Sequence, residues 1–516
     1  MTNGKQIKIG AIISYITIAL NIVVGLFYTP WMIKKIGQSQ YAIYTLASTL
    51  ISMFMIDFGL SSAAARFVSN YKAQERQEDI NNFLGVIYKL YLIIDAVIFA
   101  VLFVYFFFID SVYVSLTAKE IKQFKVVYIM SATFSLFNMP FVTQTGVITA
   151  YSKFILLKLA DLIYRVFWVG LMVLALAFGL GLYALVGAHI LAGLINILYK
   201  HIVIKSCTPV KINFRYRDKT LLKSIFAFSF WTTVSTLAGR LIFAITPTIL
   251  GVVAGSTDIA VFGIVSTIEN FFWLIACVIN GMFMPSVSKA YMEDKEKAPE
   301  KLNTLFLGVG KFNYLLGGLL CVGFFLLGRE FLSLWVGEGY EDAYLGLLFV
   351  VLPALFYNPL QVGNTAMTVD NKVHLQAIIS VVCGVVNVGL SFILSKLYGV
   401  IGACISICIA YTIRSILYHV VIDRVMKFNI KKFTFKCYLR CIPCFVITIA
   451  GGLLFKKVFT VSGWLSFGIF VVMVSVIYLL SAFLFCTSKN ERAIVLGRVS
   501  NIIKRKNCGK NDNSEF

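Results

Sequence analysis

The first long apolar stretch of the chain runs from Ile9 to Thr29 and carries no charge. A helix needs about 20 apolar residues to cross a hydrocarbon core of about 30 Å. Further apolar runs of that order follow, separated by short polar breaks. They lie at about 40–68, 83–108, 123–150, 154–178, 181–204, 221–254, 257–287, 303–328 and 342–369, then at 373–395, 400–422, 438–456 and 463–486. The pattern predicts an all-α, polytopic membrane protein of about fourteen transmembrane helices. The first run is too long for a signal-peptide core and reads as the first helix. Residues 489–516 are polar and basic and read as a tail.

The pattern also repeats. Tyr41–Leu50 resembles Ile259–Ile268, and Phe137-Asn138-Met139-Pro140 resembles Phe356-Tyr357-Asn358-Pro359. Val186-Gly187-Ala188 resembles Ile401-Gly402-Ala403. The matches keep chain order at nearly one offset, the signature of duplication. The offset spans six helices, an even number, so both copies should cross the membrane in the same sense. Such a parallel repeat places a pseudo-two-fold axis along the membrane normal and a substrate site between the halves. The expected organisation is a six-helix lobe at 1–204, a basic linker at 205–220, a second lobe at 221–425, two added helices within 426–488, and the tail at 489–516.

Composition strengthens this reading. Of 516 residues, 59% are apolar and 14% charged, whereas soluble domains carry roughly 25% charged residues. Lys and Arg number 46 against 24 Asp and Glu, a net charge of +22. A soluble protein so basic would suggest nucleic acid, but no exposed domain remains to bind it. Basic residues instead collect in cytoplasmic loops. With the N-terminus inside, the basic stretches Lys205–Lys223 and Arg424–Lys436 are inner loops, and the acidic stretch Glu330–Asp342 is an outer one. Both termini are then cytoplasmic. The 11 cysteines begin at Cys207. They sit in apolar runs and read as small buried side chains rather than a disulfide framework.

Charges inside the spans are the candidate chemistry, because an ionisable group at that depth faces a cavity or a partner. The bases Arg66, Lys89, Lys158, Arg165, Arg240, Lys311 and Arg414 outnumber the acids Asp57, Asp95, Asp161 and Glu269. A net positive interior suits an anionic headgroup, and guanidinium binds phosphate oxygens in a fork. Arg240, Lys311, Arg66, Arg414 and Arg165 are therefore the candidate headgroup ligands. Asp57, Glu269 and Asp161 are the candidates for ion coupling. Competing structural readings pair Asp161 with Arg165 four residues on, pair Arg240 with Glu269 across a short turn, and pair Asp57 with an arginine. His189 and His419 read as structural residues near helix ends, and Asn21, Asn138, Asn280 and Asn387 as helix–helix hydrogen-bonding groups.

Fourteen helices on a 6+6+2 plan join several sequence features. These are Asp57-Phe58-Gly59-Leu60 running to Arg66-Phe67-Val68, Phe228-Ser229-Phe230-Trp231, and Ile249-Leu250-Gly251 with Val261-Phe262-Gly263 and Met284-Pro285-Ser286. Together they resemble the polysaccharide-repeat-unit flippases of the multidrug/oligosaccharidyl-lipid/polysaccharide exporter superfamily. That resemblance implies transport, by alternating access, of an undecaprenyl-diphosphate-linked oligosaccharide across the inner membrane. The product would feed O-antigen, lipopolysaccharide, capsule or another surface polymer, with the polymerase machinery as partner. No cofactor or metal is implied; H⁺, Na⁺ or the membrane potential would drive the cycle. Two relatives of the fold are alternatives. Multidrug exporters usually have twelve helices and an acid in the first, and lipid II flippases an arginine there; Ile9–Thr29 carries neither. The long outer loop of a membrane-embedded polymerase is also missing, and no Gly-x-x-x-x-Gly-Lys-Ser/Thr loop is present for direct ATP hydrolysis.

Overall fold

The computed structural model describes residues 3–54, 57–281, 283–487 and 492. The tail expected at 489–516 lies outside them except for Arg492, as does the side chain of Asn280. Every element among the described residues is helical. The first half comprises α1 (Asn3–Phe54), α2 (Leu60–Ala73), α3 (Gln77–Val112), α4 (Ala118–Asn138), α5 (Thr143–Ala150), α6 (Phe154–Ala177) and α7 (Gly181–Cys207). The second half comprises α8 (Lys219–Phe243), α9 (Thr246–Val253), α10 (Ser256–Gly281), α11 (Met284–Glu293), α12 (Ala298–Val336), α13 (Asp342–Tyr357), α14 (Gln361–Val369) and α15 (Val373–Arg424). Three more follow: α16 (Ile430–Phe433), α17 (Ile442–Val458) and α18 (Trp464–Ser481).

Twelve helical segments among the described residues are long and apolar enough to cross a membrane, two fewer than the fourteen expected. The difference lies at two glycines. Gly37 (φ 82°, ψ 164°) interrupts α1, and Gly399 (φ 55°, ψ −135°) interrupts α15. A straight helix of 52 residues would measure about 78 Å, far more than the bilayer core. The chain doubles back instead. A Cβ on Gly402 would stand 2.0 Å from the carbonyl oxygen of Leu394, and Tyr28 and Tyr44 of α1 line one cavity. Hydropathy places these turns by length alone, because the apolar pattern continues through them.

The backbone shows the duplication directly. Gly37 and Gly255, 218 residues apart, both take positive φ, as do Ser152 and Asn371, 219 apart. Pro140 and Pro359 each sit in a 3₁₀ turn, Met139–Val142 and Asn358–Leu360, where proline's missing N–H breaks the helix. The final helices of the halves begin at Gly181 and Gly399, again 218 apart and both with positive φ. That register differs by three residues from the one expected by matching Val186–Ala188 to Ile401–Ala403.

The span expected at 40–68 is also broken, with helix ending at Phe54 and resuming at Leu60. Asp57 organises the break. Its Oδ1 accepts hydrogen bonds from the Ser61 backbone N–H (3.0 Å) and the Tyr91 hydroxyl (3.0 Å), in place of the expected arginine. Much of the outer surface is apolar. On α3, Leu92, Val97, Phe99, Phe103 and Phe107 are exposed, a face suited to the hydrocarbon of a bilayer. This is a multi-pass membrane protein. Asn387 meets its expected role: its amide donates to the carbonyls of Leu241 and Ile242, both at 3.0 Å, and ties α15 to α8.

Candidate functional site

The two halves meet where α1 packs on α10. Gly263 permits the approach, since a Cβ there would lie 2.9 Å from the Thr45 hydroxyl. Beside this contact a cavity of about 420 Å³ opens between the halves. From the first half Asn21, Tyr44, Ser48, Arg165 and Trp168 line it, and from the second Ser266, Thr267 and Asn270. A second cavity, about 370 Å³, shares Tyr44, Ser48 and Trp168 with the first and adds Ser52, Ser131, His189 and, from α8, Arg240. A third, about 280 Å³, shares Phe134, Tyr164 and His189 with the second. It extends toward the end of α7 that enters the basic 205–223 loop, past Asp161, Asn196 and Lys200.

The chemistry changes along this file. Among the described residues no carboxylate lines the first or second cavity, and each has one arginine among hydroxyls, amides and aromatic rings. Arg165 lies with its guanidinium carbon 4.1 Å from the Trp168 ring centre, and one terminal nitrogen is 3.5 Å from the Asn21 carbonyl oxygen. Its Nε is buried without a hydrogen-bond partner. The expected Asp161–Arg165 pair does not form, and Asp161 instead meets Lys158 at 3.3 Å. Spacing of four allowed the first pairing, but the second is equally local. The aromatic face of Trp168 gives Arg165 a different partner.

Arg240 and Glu269 make no ion pair among the described residues. Arg240 turns into the second cavity, toward α1, α4 and α7, while Glu269 lies near Tyr411. Arg414 lines none of the three cavities. It donates to the Tyr357 hydroxyl at 3.2 Å, lies 4.5 Å from that ring's centre, and is flanked by Tyr411 and Tyr418. Lys311 sits on α12 beside the thiols of Cys437, Cys441 and Cys486, away from the file. Arg66 is exposed on α2. Of the headgroup candidates, the cavities bring together Arg165 and Arg240. Of the acidic candidates, they take in Asp161.

Sequence reading passed over His189. The ring is not at a helix end but at the joint of the second and third cavities. Phe134, Tyr164 and Trp168 surround it edge-on at 6.1–6.2 Å, and the Tyr164 hydroxyl is 3.3 Å from Nδ1. Gly193 gives Phe134 its place in that wall, since a Cβ there would fall 2.2 Å from the ring. His419, by contrast, is bonded within the structure, to the Ser415 carbonyl and the Tyr438 hydroxyl. Tyr44, Ser48 and Trp168 carried no sequence signal, because a hydroxyl or indole in a span is as common on a lipid interface as in a cavity. Among the described residues no group of three His, Cys, Asp or Glu is arranged to hold a metal ion.

Outside the membrane, Asp370 caps α14. Burial opposes its charge, but Lys295 at 2.7 Å and Lys372 at 2.9 Å outweigh this and hold the carboxyl below its usual range. At the start of α8, hydrogen bonds from Thr220 and from the Leu221 N–H do the same for Asp218.

Known proteins share both fold and sequence with this chain. Its fold is similar to that of the lipid II flippase MurJ in an inward closed conformation, with a TM-score of 0.70 and 16% identity over 92% of this chain and 98% of that one. It is also similar to an inward-facing multidrug resistance MATE family transporter, with a TM-score of 0.64 and 16% identity over 82% and 99%. A Shigella flexneri protein named for O-antigen transport is 21% identical over 397 residues, 73% of this chain and 88% of that protein. The Staphylococcus aureus capsular polysaccharide biosynthesis protein CapF is 24% identical over 210 residues, 39% of this chain and 50% of that protein. The model of the family described as "Polysaccharide biosynthesis protein" matches residues 9–290, over half of the sequence, and the chain belongs to that family.

Proposed function

We propose that this protein is a flippase that carries undecaprenyl-diphosphate-linked oligosaccharide repeat units across the inner membrane for surface polysaccharide synthesis. The observation that carries this reading is the pair of adjoining cavities at the meeting of the halves, lined by Arg165 and Arg240 and, among the described residues, by no carboxylate. Guanidinium groups bind the oxygens of a diphosphate in a fork and so favour it. The same lining repels no anion and offers a cationic drug no counter-charge. Family membership and the name of the S. flexneri relative point the same way.

The cycle is alternating access. With the basic loops facing the cytoplasm, both termini are cytoplasmic. The opposite face is then held shut by contacts between the halves. The Trp335 indole N–H donates to the Leu26 carbonyl at 2.5 Å, and the Gln38 amide approaches the Gly339 carbonyl at 3.5 Å. Near the cytoplasmic side, the Ser229 hydroxyl lies 3.5 Å from the Gly59 carbonyl. Outward opening requires the first contacts to part while the diphosphate stays on Arg165 and Arg240. The lipid tail remains in the bilayer throughout. H⁺, Na⁺ or the membrane potential drives the turn, and Asp161 is the acidic candidate placed on the file. Polymerase machinery on the outer face would take the product.

The test is translocation in proteoliposomes, scored by protection of a fluorescent undecaprenyl-diphosphate oligosaccharide from a membrane-impermeant reagent. Wild-type protein is expected to translocate it, and Arg240→Ala to lose that activity. Export of small organic cations by vesicles that leave the lipid in place would overturn the reading. Imposed pH, Na⁺ and potential gradients in the same vesicles identify the driving force.

A further inference from the structure

The third cavity differs in kind from the other two. Its polar lining is Asn138, Gln144, Thr145, Asp161, Asn196 and Lys200. Amides, a hydroxyl and one carboxylate, walled by the rings of Phe134 and Tyr164, are donors and acceptors suited to the hydroxyls of a sugar. Amide and carboxylate acceptors take hydroxyl donors, which a sugar supplies and an ionised phosphate does not, and the charges of Asp161 and Lys200 on the lining offset each other. Gln144 is 1% exposed, and its buried Oε1 has no hydrogen-bond partner. A buried acceptor left unbonded is costly, and a sugar hydroxyl reaching it would remove that cost. The Lys200 ammonium is held near the Thr145 hydroxyl at 3.3 Å, leaving further donors for a ligand oxygen.

The fold does not demand this space. In the register set by the paired turns, Asn138, Asn196 and Lys200 correspond to Tyr357, Arg414 and Tyr418 of the second half. There the guanidinium packs against both tyrosine rings, at 4.5 and 5.8 Å, and fills the equivalent place with side chain. In the first half, smaller or straight polar side chains leave about 280 Å³, room for one pyranose ring.

We propose that the third cavity is a subsite for a sugar unit of the transported oligosaccharide, distal to the diphosphate. This rests on the reading of the first two cavities as the diphosphate site. The second and third cavities adjoin, with Phe134, Tyr164 and His189 in the walls of both, and a molecule that reaches past these rings occupies both. The sugar then trails toward the cytoplasmic side while the diphosphate sits against Arg165 and Arg240. The residues that select which repeat unit is carried are accordingly Gln144, Asn196 and Asp161, not the arginines.

The experiment measures binding to the full chain in nanodiscs. One probe is undecaprenyl diphosphate without sugar. The other is lipid-linked oligosaccharide extracted from cells that make this protein but lack the polymerase. Wild type is expected to hold the sugar-bearing lipid about 10-fold tighter, the yield of one or two net hydrogen bonds. Gln144→Leu and Asn196→Ala should each erase that gain, with undecaprenyl diphosphate still bound as by wild type. Arg240→Ala should weaken both probes. Thermal unfolding of each variant confirms that it is folded, and Gln144→Glu, which keeps the acceptor, should retain part of the gain. A gain that persists in both cavity variants, or its absence in wild type, overturns the subsite while leaving the diphosphate reading intact. Failure of wild type to bind either lipid overturns the diphosphate reading, and the subsite with it.

Discussion

Arg165 and Arg414 look alike in sequence, each a lone arginine within a span, and the two halves use them differently. In the first half, Arg165 leans on Trp168 at the edge of a cavity and keeps a buried Nε without a partner. In the second half, Arg414 is stacked among Tyr357, Tyr411 and Tyr418. The backbone frame is shared, down to the proline turns at Pro140 and Pro359. In the register of the repeat Arg414 stands at the place of Asn196, not of Arg165, and it is there, at the third cavity, that the halves differ in side-chain volume. Asparagine at 138 and 196 leaves space; tyrosine and arginine at 357 and 414 remove it. Duplication thus supplies two equivalent places, and one of them is free to take a ligand.

This contrast can be broken by mutation. Arg165→Ala should cut flipping by about 100-fold, the order expected when a desolvated charge contact is lost, while leaving the unfolding temperature nearly unchanged. The proteoliposome assay beside a thermal melt separates the two effects. Arg414→Ala should do the reverse, destabilising by about 2–4 kcal/mol through an emptied aromatic stack, with Arg414→Met recovering part of the loss. If Arg414→Ala melted like wild type yet failed to flip lipid, Arg414 would belong to the transport site and the contrast would fall.

Two smaller changes act on the wall of the open side. Asn138→Tyr imports the residue of the second half and should close the third cavity, lowering transport of sugar-bearing lipid by about 10-fold in initial rate. Gly193→Ala should cost about 1–3 kcal/mol by overpacking against Phe134, measured as a fall in unfolding temperature. The smallest effect concerns Asp370, whose lysine partners are partly exposed. Asp370→Asn should cost up to about 1 kcal/mol at pH 7. Because the folded carboxyl is held below its usual range, its contribution is complete above the unfolded value of about 3.9. It fades as pH falls through the folded one, so melts of variant and wild type should converge in acid. A difference that grew on acidification would contradict the assignment.

Much of this was readable before any coordinates. Apolar length set the spans, spacing exposed the duplication, and depth singled out the intramembrane charges. The same signals misplaced details that depend on neighbours. Asp161 was expected to pair with Arg165, but it meets Lys158, three residues before it, while Arg165 lies over the ring of Trp168. Lys311 and Arg414 met every sequence criterion for a headgroup ligand, yet α12 and α15 turn them toward thiols and tyrosines. His189 looked like a helix-end histidine and stands at the joint between two cavities.

The sequence by itself determined that the chain crosses a membrane many times, that it does so in two copies of one plan, and that it buries more base than acid. These are one-dimensional properties: transfer of apolar length out of water, a repeated order, a sum of charges. Only the tertiary structure decided which charges face open space. That depends on how much volume residues distant in sequence, such as Asn138 and Asn196 or Tyr357 and Arg414, bring to a shared place.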